Sequence, residues 1–154
     1  MTARVLVLGL GNALMGDDGV GAAVVDRLRD RVPISASARI VAAEDVLALL
    51  RIWNGERHVW FVDAVDSGAE PGTIHCFQHE EIFELVGDHF SAHGLSLVQC
   101  LRWMLVSVPK LRAARFRLWG VEPEKIAPRE QLSTVVETSI SRLSDELIRA
   151  LESV

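Results

Sequence analysis

The chain has no surplus of positive charge: 16 Lys and Arg stand against 21 Asp and Glu, a formal net charge of −5 with an isoelectric point near 5.5. Sequence-independent nucleic-acid binding needs a basic face that displaces counterions, and anionic membranes ask for the same, so both are poor partners. Cysteine is scarce. Cys76 and Cys100 have no CxxC spacing, which excludes a disulfide framework and a zinc knuckle, and neither has a basic neighbour to lower its thiol pKa, so both are expected in the core. No apolar stretch reaches the roughly 20 residues that span a bilayer. Repeats, low-complexity tracts and linkers are missing too, and the first strand begins too early to leave room for a secretory signal. The expectation is therefore one domain over residues 1–154, in the cytoplasm. At 49% hydrophobic it can bury a full core without disulfides or a structural metal.

What the chain does have is a glycine-rich turn that carries acid. Residues 9–21, Gly-Leu-Gly-Asn-Ala-Leu-Met-Gly-Asp-Asp-Gly-Val-Gly, follow the apolar run Val5 to Leu8 and precede a helical pattern. Gly11 and Gly16 are spaced as in a phosphate-cradling loop, yet Asp17 and Asp18 stand where that loop needs Lys and Ser or Thr. The dinucleotide fingerprint fails as well, because its third glycine would be Leu14. A phosphate would be repelled; a cation is the better guest.

Along the chain, residues 4–9 read as a buried strand and Val20, Val24 and Leu28 as the stripe of a helix that Pro33 ends. Strands are predicted over 38–43, 58–62, 73–77 (weaker) and 115–121, with a short helix near 45–52. Residues 79–90 carry no clear pattern. Ser91 is a suitable N-cap for a helix with Leu95, Val98, Leu101 and Met104, and Leu132, Val136, Ile140, Leu143, Leu147 and Leu151 line one face of a final helix. Alternation of strands and helices implies a mostly parallel sheet covered on both sides, with ligands bound beyond the carboxyl ends of the strands where their order reverses.

Asp18 lies just past the first strand and Asp63 closes the third, so a doubly wound start brings both to that crevice; Glu44, Asp45 and Glu122 follow strands onto the same rim. His93, in the first turn of the helix capped by Ser91, would be kept neutral by the helix dipole and free to donate a lone pair. Two oxygens and one nitrogen suit a borderline divalent ion such as nickel or zinc. Blander readings stand beside these: Asp17 and Asp18 as acidic residues favouring a helix N-terminus, and His93 as a surface histidine, as His58, His75, His79 and His89 are expected to be. Asp63 resists such a reading, since a carboxylate ending a buried strand is costly unless paired or solvated in a cleft. Ser67 lies in Asp-Ser-Gly, outside a nucleophile elbow, and the four tryptophans are read as packing residues.

These residues are where the chain resembles the maturation endopeptidases of nickel-iron hydrogenases. The match runs from Val5 to Gly21, through Val62-Asp-Ala-Val65 with Pro71-Gly72 and Ser91-Ala-His93, to Gly120-Val-Glu-Pro123 and the C-terminal helix. The resemblance implies a three-layer α/β/α sandwich whose five-stranded, mostly parallel sheet has one antiparallel strand; 73–77 is the candidate, because a parallel crossover needs a dozen or more residues. It also implies that Asp18, Asp63 and His93 form the metal-recognising and catalytic site. The first of these is glutamate in some members, and Ala42-Ala-Glu-Asp45 replaces the family's Asp-Gly-Gly-Thr type loop.

The implied reaction removes a C-terminal extension from the precursor of a hydrogenase large subunit after nickel insertion. The nickel would be supplied by that precursor, with zinc or cadmium as possible occupants of the isolated protein, expected as a monomer. A rival reading is a nickel-binding assembly chaperone that cuts nothing; a third is a small-molecule hydrolase on a similar scaffold.

Overall fold

The computed structural model describes residues 3–33, 37–85 and 97–154. Ser91, His93, Leu95 and His89 lie outside the described residues. Five strands, β1 (Val5–Leu10), β2 (Ala38–Ala43), β3 (His58–Ala64), β4 (Ile74–Phe77) and β5 (Arg115–Val121), form one sheet in the order β2-β1-β3-β5-β4. All neighbours are parallel except β4 and β5. The helices are α1 (Val20–Arg31), α2 (Leu49–Ile52), α3 (His79–Glu84), α4 (Leu97–Ser107) and α5 (Thr134–Glu152).

Alternation along the strands divides the core into two layers, since successive side chains point to opposite faces. Val5, Val7, Trp60, Val62, Trp119 and Val121 pack on the apolar stripes of α1 and α5, whose Val24, Leu28, Val136, Ile140, Leu143 and Leu147 are buried. Leu6, Leu8, Leu10, Val59, Phe61, Phe116 and Leu118 pack on the other side, against Leu49 of α2, Ile82 of α3 and Leu97, Leu101 and Met104 of α4. The result is the expected three-layer α/β/α sandwich. Helix α1 lies directly on β1 because Gly9 and Gly21 meet there: a Cβ on Gly21 would stand 2.3 Å from the backbone N and O of Leu10.

Three features depart from or refine the sequence reading. The pattern near 45–52 is a 3-10 turn (Val46–Ala48) running into α2. Helix α3 had no signal because it is short and buries Ile82 alone; the Glu81 side chain accepts from the N–H of Gln78 at 3.0 Å to close its first turn. Strand β4 is the antiparallel one, but its neighbour is β5, which the chain inserts between β3 and β4. The connection from β3 to β4 therefore crosses the end of β5. Gly120 allows the crossing: a Cβ there would stand 2.3 Å from a methyl of Val65, whose N–H donates to the Val121 carbonyl at 3.0 Å.

Candidate functional site

The chain leaves β1 for β2 on one side and returns to β3 on the other, so the switch point lies between the carboxyl ends of β1 and β3. Both candidate aspartates stand there. After Leu10 the backbone turns at Gly11 with φ +118°, a conformation open to glycine, and a Cβ there would collide with the Asp18 carbonyl at 2.1 Å. The N–H of Asn12 then donates to Oδ2 of Asp18 at 2.7 Å. Asp18 sits in a 3-10 turn, Gly16–Gly19, that contacts β3. On β3, Asp63 lies opposite Gly120 of β5, and its Oδ1 accepts from the N–H of Ala64 at 2.8 Å. The two carboxylates are 3% and 2% exposed, a degree of burial that fixes them in place. Among the described residues, no group of three or more His, Cys, Asp or Glu side chains is arranged to hold a metal ion; His93 is outside them.

Asp17 and Asp18, adjacent in sequence, serve different partners. Neither caps α1, whose N-cap is Gly19. The Asp17 carboxylate, fully buried, accepts from the backbone N–H of Glu124 (2.8 Å), Lys125 (2.9 Å) and Ser133 (2.7 Å) and from the Ser133 hydroxyl (2.8 Å). It ties the turn under Asp18 to the loop after β5, and its lone pairs are engaged in doing so. That loop and the start of α5 line an open cavity of about 860 Å3, with Lys125, Glu130, Ser133 and Thr138 on its walls.

The other rim carboxylates divide as well. Glu44 and Asp45 are exposed; Asp45 accepts from the N–H of Leu47 at 2.8 Å and so caps the turn into α2. Glu122, by contrast, is 1% exposed. It takes the N–H of Ser67 at 3.0 Å, the Ser67 hydroxyl, and Nε2 of His75 at 2.9 Å. His75 is thus no idle surface histidine. Sequence reading missed the pair, although the register that an antiparallel β4 requires would have put His75 and Glu122 on one face.

Other assignments sort by burial. His79 accepts the N–H of Phe116 at Nδ1 (2.9 Å) and stacks on that ring; burial, then the Arg115 cation, holds its pKa below the ordinary imidazole value. His58 is lowered by burial and then by Arg117, Arg115 and Arg57. Cys100 is buried as expected, but Cys76 is exposed on the edge strand β4, which covers it from one side only. Desolvation raises both thiols, at Cys76 from the side that the sheet covers and against the Arg117 cation, a basic neighbour the sequence did not reveal, and at Cys100 with help from Asp45, as befits cysteines that are not nucleophiles. Trp60 and Trp119 pack edge to face in the core with Arg117 over both rings, whereas Trp103 is 57% exposed and does not fit the packing role expected of it.

The fold is an α/β/α sandwich with the buried carboxylates Asp18, Asp63 and Glu122 near the carboxyl ends of its parallel strands. The model of the hydrogenase maturation protease family, HycI, matches residues 24–150, and the chain belongs to that family of peptidases. It is 30% identical over 152 residues to the hydrogenase 2 maturation protease of Escherichia coli, covering 96% of this chain and 90% of that one. Among solved structures it is similar to the hydrogenase maturating endopeptidase HybD of E. coli (TM-score 0.80, 29% identity, 97% and 93% of the two chains). It is also similar to the [NiFe] hydrogenase maturation protease HybD of Thermococcus kodakarensis (TM-score 0.79, 27% identity, 96% and 99%). No helix among the described residues is long and apolar enough to cross a membrane.

Proposed function

We propose that this protein is the endopeptidase that removes the C-terminal extension of a nickel-iron hydrogenase large-subunit precursor once nickel is in place, acting in the cytoplasm, and that Asp18, Asp63 and His93 recognise that nickel. The observation that supports the reading is that two buried carboxylates, Asp18 in the turn after β1 and Asp63 near the end of β3, follow the adjacent strands that flank the switch point of the sheet, each accepting a backbone N–H. Carboxylate oxygens joined by one imidazole make a donor set suited to a borderline divalent ion, and the same set would accept zinc or cadmium in the isolated protein.

The chain's own residues do the rest. Asn12 and Ala64 hold the two carboxylates, Asp17 braces the turn beneath Asp18, and the acidic rim turns phosphate-bearing ligands away. The cavity beside Lys125 and Ser133 has room for a stretch of polypeptide. A divalent ion held there would supply charge stabilisation to the scissile carbonyl or to an attacking water.

The test is incubation of the purified protein with nickel-loaded precursor. A shortened large subunit on a gel, lost with Asp18→Asn, Asp63→Asn or His93→Ala, is the expected result. An intact subunit would instead favour the rival reading of a nickel carrier. Nickel-free precursor should stay uncut, and its efficient cleavage would remove nickel from the recognition step.

A further inference from the structure

Hydrolysis of a peptide needs one proton taken from water and one delivered to the departing amine, and the aspartates of the rim have other tasks in the reading above: Asp17 holds the loop after β5, Asp45 caps the turn into α2, and Asp18 and Asp63 are assigned to the ion. We propose that His75, oriented by the buried carboxylate of Glu122, is the residue that moves this proton. The proposal rests on the peptidase reading above.

The geometry has three parts. First, His75 is opposite Gly120 on β5, and Gly120 is opposite Asp63 on β3, so the three stand in one cross-strand row and their Cβ directions share a face of the sheet. Two strand spacings separate His75 from Asp63, about 10 Å, so a polypeptide lying across the strand ends passes both. Second, Nε2 of His75 lies 2.9 Å from Glu122 Oε1; in the tautomer that donates this hydrogen bond to a carboxylate, the nitrogen left to exchange a proton is Nδ1, which makes no hydrogen bond among the described residues. Phe77 stacks against the ring at 5.7 Å and fixes its plane. The histidine side chain is 22% exposed against 1% for Glu122, so the imidazole is reachable and its carboxylate is not.

Third, the Ser67 hydroxyl donates to Glu122 and lies 3.5 Å from Nε2 of His75, so while that nitrogen donates to Glu122 the imidazole does not act as base for Ser67. Glu122 stands behind the histidine as the orienting carboxylate of a dyad. In the step itself, Nδ1 takes a proton from water as the water oxygen bonds to the scissile carbonyl carbon. The protonated ring then returns that proton to the amide nitrogen, which leaves with the electron pair of the broken C–N bond. One water is consumed, and a carboxyl group and an amine are formed.

The experiment is single-turnover cleavage of nickel-loaded precursor by wild type, His75→Ala and His75→Gln, with precursor affinity measured in parallel. Glutamine keeps an N–H donor for Glu122, so that variant should fold, yet it cannot shuttle a proton. Both variants should slow cleavage by about 100-fold or more with affinity within about twofold of wild type, and free imidazole should restore part of the His75→Ala rate. His75→Gln cutting within about threefold of wild type would overturn the proposal and leave His75 a structural donor only. A wild-type protein that leaves loaded precursor intact would overturn the peptidase reading itself, so the two failures are distinct.

Discussion

Replacing Asp17 should damage the protein more than its small size suggests. In the Ala variant three backbone donors, the N–H groups of Glu124, Lys125 and Ser133, lose a charged acceptor, and so does the Ser133 hydroxyl. Hydrogen bonds to a charged group contribute roughly 1.5–3 kcal/mol each, but Glu124 and Lys125 are exposed and water can reach their freed N–H groups, which offsets part of the loss. A net destabilisation of about 3–5 kcal/mol follows, a large share of the roughly 5–15 kcal/mol that holds a domain together. In a chain of this size it corresponds to a fall in Tm of about 10–15 °C.

Asp17→Asn should cost about 2–3 kcal/mol, because Oδ2 receives two N–H groups and Oδ1 a third, so either amide orientation sets an NH2 against a donor. Ser133→Ala, which removes one donor and leaves no N–H orphaned, should cost only about 1 kcal/mol. Urea unfolding followed by circular dichroism measures all three. An Asp17→Ala protein within about 0.5 kcal/mol of wild type, at unchanged m, would refute the role given to this carboxylate.

Further outcomes follow from packing and charge. Gly21→Ala should destabilise by at least the roughly 1–3 kcal/mol of an overpacked core, because its Cβ meets backbone atoms of Leu10 that cannot swing aside; a thermal melt unchanged from wild type would contradict the close contact of α1 with β1. Leu147→Ala on α5 should cost about 2–5 kcal/mol by the same assay, its side chain being wholly buried between helix and sheet. His58 and His79 are held below the ordinary imidazole value, so the unfolded chain binds more protons once the pH drops under about 6.5. Their contribution to stability is whole above that pH and lost as pH falls through the lowered folded values. His79→Gln, whose side-chain carbonyl can still accept the Phe116 N–H, should shrink that loss in melts compared at pH 7.5 and pH 5.

How much of this was legible beforehand depends on whether a feature is local or made by register. Strand β3 announces itself because His58 to Val62 is apolar on both faces, and a carboxylate closing such a strand has few explanations other than a cleft. Asp18 is legible for a related reason: the glycines that permit the turn and the acids that spoil it for phosphate are neighbours in the chain. The division of labour between Asp17 and Asp18 is not, because it depends on donors from Glu124, Lys125 and Ser133, more than a hundred residues away.

The pairing of His75 with Glu122 is of the same kind. It follows from the late insertion of β5 between β3 and β4, which sequence order conceals, and from the pairing of His75 with Gly120. Side chains alternate along a strand, so a slip of one residue in β4 would turn His75 to the opposite face and bring exposed Cys76 into the row with Asp63. Two backbone bonds hold that register at the start of β4: the N–H of Gly72 donates to the Glu122 carbonyl and the N–H of Glu122 to the Thr73 carbonyl. The side chain of Glu122 then secures from one side what its backbone secures from the other, so the residue that orients the imidazole also selects which residue of β4 faces the rim.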